Sequence, residues 1–131
     1  VGVDDGFAAK GEISYGGETA LYRAQLAAEI IRERWSVNHK RSEELSTEYL
    51  GYNATRPWKS ASSTPDEVCL RIGAHTFEES AAKTLCQEIE ALYLNGPAGG
   101  GGANARYARA VGIVSALIDK SEVQPEVVFV D

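Results

Sequence analysis

The sequence contains no methionine, only two cysteines and two histidines, and no long apolar run. Cys69 and Cys86 form no CxxC pair and have no histidine pair nearby, so we expect reduced, buried cysteines and neither a disulfide nor a metal site. A membrane-spanning helix needs roughly 20 apolar residues, and no stretch approaches that length. The first ten residues lack the basic-then-apolar order of a signal peptide, which favours a cytoplasmic location.

Acidic residues outnumber basic ones, 19 to 13, and the net charge is -6. The densest group of basic residues, between Arg32 and Arg41, is interleaved with glutamates, a pattern typical of a solvated helix end and loop. A surface of this kind repels a polyanion. The sequence therefore argues against nucleic-acid binding.

The length of 131 residues suits a single domain over residues 1–131. The chain begins with Val1 and lacks methionine, so we expect it to be a carboxy-terminal fragment of a larger protein. Residues 1–17 are rich in glycine and are predicted to form an irregular leading segment. At most one short strand is expected there, over residues 12–15.

Two segments have the periodicity of an amphipathic helix, residues 18–35 and 76–95. In the second, Thr76 and Glu79 have the spacing of a capping box, and Pro97 prevents continuation beyond the end. The predicted core-facing residues are Leu21, Ala24, Ala28, Ile31 and Trp35 in the first helix, and Ala82, Leu85, Ile89 and Leu92 in the second.

Strands are predicted at residues 45–52, 67–73, 108–118 and 127–130. Residues 67–73 alternate between apolar and other side chains, which indicates a half-buried strand. Residues 108–118 are apolar at both alternating sets of positions, which is typical of a central strand covered on both faces. Residues 54–65 contain two prolines and several hydroxyl side chains and are predicted to form a surface loop.

The order helix, strand, strand, helix, strand, strand predicts an α+β fold. In this two-layer sandwich, two helices pack on one face of a mainly antiparallel four-stranded sheet. The strand at 108–118 would then expose an apolar stripe on the other face, which soluble monomers avoid. We therefore expect the missing amino-terminal portion of the parent chain, or a second copy in a homo-oligomer, to cover it.

A glycine-rich segment, residues 95–109, separates the second helix from the long apolar strand. Backbone N–H groups of glycines can form an anion-binding nest, and arginines can neutralise a phosphate or carboxylate. The ligand would then be an acyl-coenzyme A, bound by its pyrophosphate, or another anionic small molecule such as an acyl carboxylate. The candidate ligand-binding residues are Gly99, Gly100, Gly101, Gly102, Asn104, Arg106 and Arg109.

The same segment also allows a structural interpretation. No Gly-Lys-Ser or Gly-Lys-Thr follows, as a P-loop requires, and the helix-then-strand order is the reverse of a dinucleotide-binding turn. The glycines would then form a tight turn against a neighbouring domain or subunit, with solvated arginines beside it. Both interpretations remain open at this point.

Few other residues are candidates for chemistry. His75 precedes the predicted helix cap and is a candidate acid or base near neutral pH, although such a histidine more often supports the turn. His39 lies in a charged segment and is predicted to be solvated. Gly16 and Gly17 precede the first helix, whose amino end can attract an anion, but an entry turn is the simpler interpretation. We assign no catalytic residue, cofactor or metal.

Three stretches together resemble a known family. They are Gly-Glu-Ile-Ser-Tyr-Gly-Gly-Glu-Thr-Ala-Leu-Tyr-Arg-Ala-Gln-Leu-Ala-Ala-Glu-Ile-Ile from Gly11, Glu-Tyr-Leu-Gly-Tyr-Asn from Glu48, and Asn-Gly-Pro-Ala-Gly-Gly-Gly-Gly from Asn95, with a closing Pro-Glu-Val-Val from Pro125. The chain resembles the carboxy-terminal part of the core domain of the acyclic terpene utilisation protein A family. The resemblance covers nearly the whole chain, but the larger amino-terminal α/β portion of the family is lacking.

The resemblance implies a role in the catabolism of acyclic isoprenoids such as citronellol and geraniol, a pathway that passes through acyl-coenzyme A intermediates and a biotin carboxylase. It implies no catalytic residues. We therefore expect a domain that binds an acyl-coenzyme A or carboxylate ligand through the glycine-rich segment. The alternative is a non-catalytic assembly module of the parent protein.

Overall fold

The computed structural model describes residues 1–56 and 64–130. The predicted loop at residues 54–65 includes residues 57–63, which lie outside the described residues. The strands are β1 (Gly2–Gly16), β2 (Ser46–Leu50), β3 (Glu67–Thr76) and β4 (Gly100–Ile113), and the helices are α1 (Ala20–Glu33) and α2 (Glu79–Asn95). A π-helical segment (Arg34–Asn38) continues α1, and a short 3-10 turn lies at Lys120–Glu122.

The four strands form one sheet in the order β2-β3-β1-β4, and every neighbouring pair is antiparallel. With the chain order β1-α1-β2-β3-α2-β4, this is the split βαβ, or ferredoxin-like, topology. Both helices cover one face of the sheet, and the other face is open. The predicted α+β sandwich is confirmed.

The hydrophobic core lies between the helices and the covered face of the sheet. In β1 and β3 every second side chain is buried, because alternate residues of a strand point to opposite faces. The helices contribute the stripes that their periodicity predicts. Core residues include Ile13, Tyr15, Val68, Leu70 and Ile72 from the sheet, and Ala24, Ala28, Ile31, Leu85, Ile89 and Leu92 from the helices.

The prediction of an irregular segment at residues 1–17 is wrong, because these residues form the central strand β1. Its glycines have specific structural roles. Gly6 has a φ of 73°, and it lies at the β-bulge between Asp4 and Phe7. At Gly11 a Cβ atom would lie 2.8 Å from the Cγ2 atom of Ile89, so glycine lets α2 approach the strand.

The glycine-rich segment is part of a strand. We predicted the last long strand at residues 108–118 and in the centre of the sheet, and both features are wrong: β4 begins at Gly100, ends at Ile113 and is an edge strand. Gly102 has a φ of 65° and lies where the register between Glu12 and Ser14 shifts by a bulge. This left-handed residue lets β4 pair with β1 on both sides of the bulge.

The helix ends differ slightly from the predictions. Trp35 is buried as predicted but lies in the π-helical segment, and its Nε1 atom donates to the Glu43 carbonyl at 3.1 Å. Thr76 does not cap α2, because it is the last residue of β3 and is buried. The N-cap position is Glu78, without a side-chain capping bond, and the Glu78 N–H donates instead to Thr76 Oγ1 at 3.2 Å.

The chain after β4 has no strand in the described part, so the predicted closing strand at residues 127–130 is wrong. Val114 still pairs with Val1 through two main-chain hydrogen bonds, of 2.9 and 3.1 Å. Residues 115–130 are exposed throughout, including Leu117 and Phe129. Among the described residues, no helix has both the length and the apolar character to span a membrane.

Candidate functional site

The open face of the sheet carries a row of side chains that crosses all four strands. Ser46 of β2 is opposite Gly73 of β3, Gly73 is opposite Lys10 of β1, and Lys10 is opposite Arg106 of β4. The residues next to them in each strand point to the helices, as the burial of Ala9 shows. The strand register therefore brings together residues from positions 10 to 106 of the chain.

A depression with a volume of about 1230 Å³ lies over this row and the next one. Its floor is formed by short side chains, those of Ala8, Ser46 and Ala108, together with Gly73. Long side chains on neighbouring strands would cover the sheet at this position. Here the short ones leave a concave surface, the shape that small-molecule sites take.

The charges on this face are balanced in one row and unbalanced in another. In the row beside the depression, Arg71 Nε lies 2.6 Å from Glu12 Oε1, and Arg71 Nη1 lies 3.2 Å from Glu48 Oε2. Lys10 and Arg106, in contrast, form no ion pair with any described residue. Like charges directly opposite each other on paired strands destabilise a sheet. The pair of Lys10 and Arg106 thus leaves two positive charges at the depression without an anion.

The other end of the depression is lined by glutamates, and two of them share a single cation. Arg41 forms an ion pair with Glu43 and a second with Glu78, whose Oε2 atom lies 2.9 Å from Arg41 Nη1. The hydrogen bond from Arg41 holds the pKa of Glu43 below its ordinary value, and Thr76 Oγ1 donates to the same carboxylate at 3.2 Å. Glu44, also in the lining, has no ion pair with a described residue.

An aromatic corner lies between these two ends. His75 donates from Nε2 to the Asp5 carbonyl, and the same nitrogen lies 3.5 Å from Asp5 Oδ1. The rings of His75 and Phe77 meet edge to face, with centroids 5.2 Å apart. The Phe77 side chain is nevertheless 75% exposed. His75 therefore supports the strand end and the Phe77 ring, and it also lines the depression.

The residues predicted as ligand contacts do not form a single cluster. Asn104 and Arg106 lie on the open face, opposite Glu12 and Lys10. Arg109 lies on the helix side of β4, where its Nη2 atom contacts Asp4 Oδ2 at 2.9 Å. The structure therefore separates the two arginines that the sequence analysis grouped together.

The four glycines also divide into two pairs. A Cβ atom at Gly99 would lie 2.8 Å from Arg23 Nη1, and one at Gly100 would lie 2.8 Å from Ile13 Cδ1. At Gly101 and Gly102 it would meet no atom within 4 Å. A side chain at the first pair would thus meet neighbouring atoms, and the second pair leaves open space at the edge of the sheet.

Arg23, the neighbour of Gly99, connects two turns. Its guanidinium donates to the Ala98 carbonyl at 2.7 Å and also to the Gly16 carbonyl, and Nε donates to Thr19 Oγ1 at 3.0 Å. It also lies over the Tyr15 ring, 5.6 Å from the centroid. Thr19, the N-cap of α1, makes no capping bond. The turn at Gly16 and the turn after α2 are therefore joined by one side chain that the sequence analysis did not single out.

A buried carboxylate, that of Glu88, lies on the helix side of the sheet. The Glu88 side chain belongs to a residue only 8% exposed, and its two oxygens contact Arg34 Nε and His39 Nε2, each at 2.7 Å. The prediction that His39 is solvated is thus wrong: it is held by this carboxylate. The π-helical segment at Arg34–Asn38 brings both partners to Glu88.

Cys69 and Cys86 are free thiols. Cys86 is buried as predicted, Cys69 is only half-buried, and burial raises the pKa of the Cys86 thiol. Among the described residues, no three His, Cys, Asp or Glu side chains are grouped as a metal site would need.

Lys10 is the residue of this site that sequence reasoning missed. Its signal was the alternation of Ala9, Gly11, Ile13 and Tyr15 with polar residues, the pattern of a half-buried strand. The glycines in the same segment outweighed that pattern, because glycine is depleted in strands. Once β1 is recognised as a strand, Lys10 belongs to the polar face.

The fold and the site define a ferredoxin-like α+β domain whose open sheet face carries a depression with a pair of cations at one end and glutamates at the other. The model of the acyclic terpene utilisation family protein AtuA matches residues 1–129, and the chain belongs to this family. The resemblance noted from the sequence is thus confirmed, and with it the context of acyclic terpene utilisation. A comparison with curated proteins gives no match. A de novo designed protein, Ferredog-Diesel, is similar in structure with a TM-score of 0.44 and 18% identity, over 79% of this chain and 85% of the designed one.

Proposed function

We propose that this domain binds an anionic small molecule of acyclic terpene utilisation, a carboxylate or an acyl-coenzyme A, in the depression on the open sheet face. The observation that carries this proposal is the pair of Lys10 and Arg106, opposite each other and without an anionic partner among the described residues. A bound anion removes the repulsion between them. The ligand therefore stabilises the sheet as the sheet binds the ligand.

The two cations suit this role in different ways. The guanidinium of Arg106 offers a planar set of donors that matches a carboxylate or phosphate in two hydrogen bonds. Lys10 adds a compact charge from the neighbouring strand. Because the floor consists of alanine, serine and glycine positions, an apolar chain attached to the anion can lie flat against the sheet.

The glycine-rich segment offers a second direction for such a chain, on the other side of Arg106 from Ala108. Asn104 follows Arg106 along the open face of β4, and Gly101 and Gly102 leave room beyond it. An acyl chain that runs from Arg106 past Asn104 thus meets no side chain at the two glycines. We therefore keep Gly101, Gly102, Asn104 and Arg106 as ligand contacts and add Lys10.

The experiment is a calorimetric titration of the protein with citronellate and, separately, with octanoyl-coenzyme A. Charge-assisted hydrogen bonds contribute about 1.5–3 kcal/mol, so Arg106→Ala should weaken binding about 10- to 150-fold. Arg109→Ala is the matched control, because this arginine lies in the same strand on the other face and pairs with Asp4. Equal effects of the two substitutions, or no binding of either ligand, would refute the proposal.

The alternative assembly role has its own support. Val111 and Ile113 extend the β1–β4 ribbon beyond the helices, and the Ile113 side chain is 85% exposed. Apolar side chains continue to Phe129 without packing on the domain. Large exposed apolar surfaces mark interaction sites. Ile113→Ser with Leu117→Ser should lower the mass measured by light scattering if these residues join subunits, and a mass unchanged from that of the unaltered chain would argue against this role.

A further inference from the structure

The Phe77 ring is the largest exposed aromatic surface in the lining of the depression. It follows directly after β3 and is held from two sides. The edge-to-face contact with His75 supports it on one side, and its Cδ1 atom lies so close to Gly6 that a Cβ atom there would be 3.1 Å away. Gly6, with its φ of 73°, therefore lets the ring pack on the backbone of β1. The ring thus has a contact on two sides, and yet most of the side chain faces solvent.

Phe77 differs from the scattered apolar residues of an ordinary surface, because its exposed ring packs against the protein on two sides and lines a depression that also holds two cations. His75 and Phe77 line the same depression as Lys10 and Arg106. An aromatic face that is held in place loses little conformational entropy when a planar group stacks on it. The depression thus has two recognition elements, one for a planar ring and one for an anion.

The register sets the spacing of these elements. His75 is opposite Ala8, and Ala8 is opposite Ala108, in the row next to that of Lys10 and Arg106. Since neighbouring strands lie ~4.8 Å apart and alternate residues of a strand ~6.8 Å apart, the backbones at His75 and Arg106 are separated by roughly 12 Å. The Phe77 ring lies against the His75 ring, with centroids 5.2 Å apart, so its separation from Arg106 is of the same order. A nucleotide spans a distance of this order between the outer edge of its base and its phosphate.

We infer that the depression binds an adenine nucleotide, with the base stacked at Phe77 and a phosphate between Lys10 and Arg106. This inference rests on the proposed function, because it assigns the anion of the same site. The acidic groups fit this orientation. Glu43 and Glu78 lie beside Thr76 and Phe77 and share the single cation Arg41, so this end keeps a negative charge. A carboxylate there accepts a hydrogen bond from an exocyclic amine and repels a phosphate.

The adenine nucleotide has two possible sources, a free nucleotide and the nucleotide end of coenzyme A. Calorimetry with adenosine 3′,5′-bisphosphate, coenzyme A and inorganic pyrophosphate distinguishes them. Tighter binding of coenzyme A than of the bisphosphate indicates the coenzyme as the source, and equal or weaker binding indicates the free nucleotide. Pyrophosphate, which has no base, should bind more weakly than either.

The decisive variant is Phe77→Ala, with Tyr22→Ala as control, since Tyr22 is an exposed aromatic residue of α1 outside the lining of the depression. Loss of base stacking should weaken binding of the bisphosphate about 5- to 150-fold and leave that of pyrophosphate unchanged. Arg106→Ala should weaken binding of both. Circular dichroism melting checks that each variant is folded.

Four results overturn the inference. The first is equal affinity of Phe77→Ala and the unaltered protein for the bisphosphate. The second is binding of pyrophosphate as tight as that of the bisphosphate. The third is binding of citronellate without binding of any nucleotide, which leaves the proposed function intact and refutes only the nucleotide assignment. Absence of binding for every anion refutes both.

Discussion

Gly100 and Gly101 are neighbours in β4, but the structure has room for a side chain at only one of them. Gly100 faces the core, where a Cβ atom would lie 2.8 Å from Ile13 Cδ1 and 3.1 Å from Tyr15 Cε1. At Gly101 no heavy atom lies within 4 Å of the corresponding position. Neither glycine has a positive φ, so backbone strain does not distinguish them. The pair Gly100→Val and Gly101→Val therefore isolates packing from backbone conformation.

The size of the expected effect follows from the neighbours. Ile13 and Tyr15 are each only 1% exposed, so neither side chain can move aside into solvent. Adding carbon atoms to a filled core costs about 1–3 kcal/mol. At Gly101 the same substitution replaces glycine by a residue that favours strands, and we expect a change in the free energy of unfolding within about 0.5 kcal/mol of zero.

Urea denaturation, followed by circular dichroism, measures both variants under the same conditions. With a denaturant slope of about 2 kcal/mol per molar urea, Gly100→Val should lower the midpoint by roughly 0.5–1.5 M. Gly101→Val should keep the midpoint of the unaltered protein. Equal midpoints for the two variants would mean that Gly100 does not face a filled core, and the register of β4 against β1 would then be incorrect.

Three further predictions concern buried or paired groups. Burial raises the pKa of Tyr15, and its hydroxyl has no hydrogen-bond partner among the described residues, so Tyr15→Phe should leave the free energy of unfolding unchanged or raise it by about 1 kcal/mol in urea denaturation. Glu88→Gln removes the charge that binds His39, and it should lower the urea midpoint by an amount equivalent to about 1.5–3 kcal/mol; an unchanged midpoint would contradict the role given to this carboxylate. Arg41 lowers the pKa of Glu43, so the ionised carboxylate stabilises the folded state above the pKa of about 4.3 of an unfolded glutamate. This stabilisation is lost as the pH falls through the pKa of the folded state. In thermal melts between about pH 5 and pH 3, Glu43→Gln should therefore lose less stability than the unaltered protein.

The helical layer was largely predictable from the sequence, because the periodicity of α1 and α2 reports directly which side chains are buried. Ala24, Ile31, Leu85 and Ile89 are all in the core as predicted. The α+β class followed from the order of elements, although two of the predicted strands were misplaced. Local propensity is informative where it agrees with the buried face.

The sheet was harder to predict, because glycine-rich segments that resemble loops in composition form the strands β1 and β4. Gly11 is buried under Ile89, and Gly102 forms a bulge, so both belong to strands that their residue type disfavours. The same error hid part of the candidate site. Lys10 becomes visible only when β1 is a strand, and the separation of Arg106 from Arg109 follows from the alternation of β4.

The position of β1 in the middle of the sheet affects how the chain is made on the ribosome. This strand is the first of the described elements to be translated, yet its two neighbours come much later, and Gly2 pairs with Ile113. A nascent chain therefore exposes both edges of β1 until β3 has left the exit tunnel, and one edge until β4 has followed. Such late closure exposes the emerging chain to unwanted association with its neighbours, which is the hazard that chaperones limit.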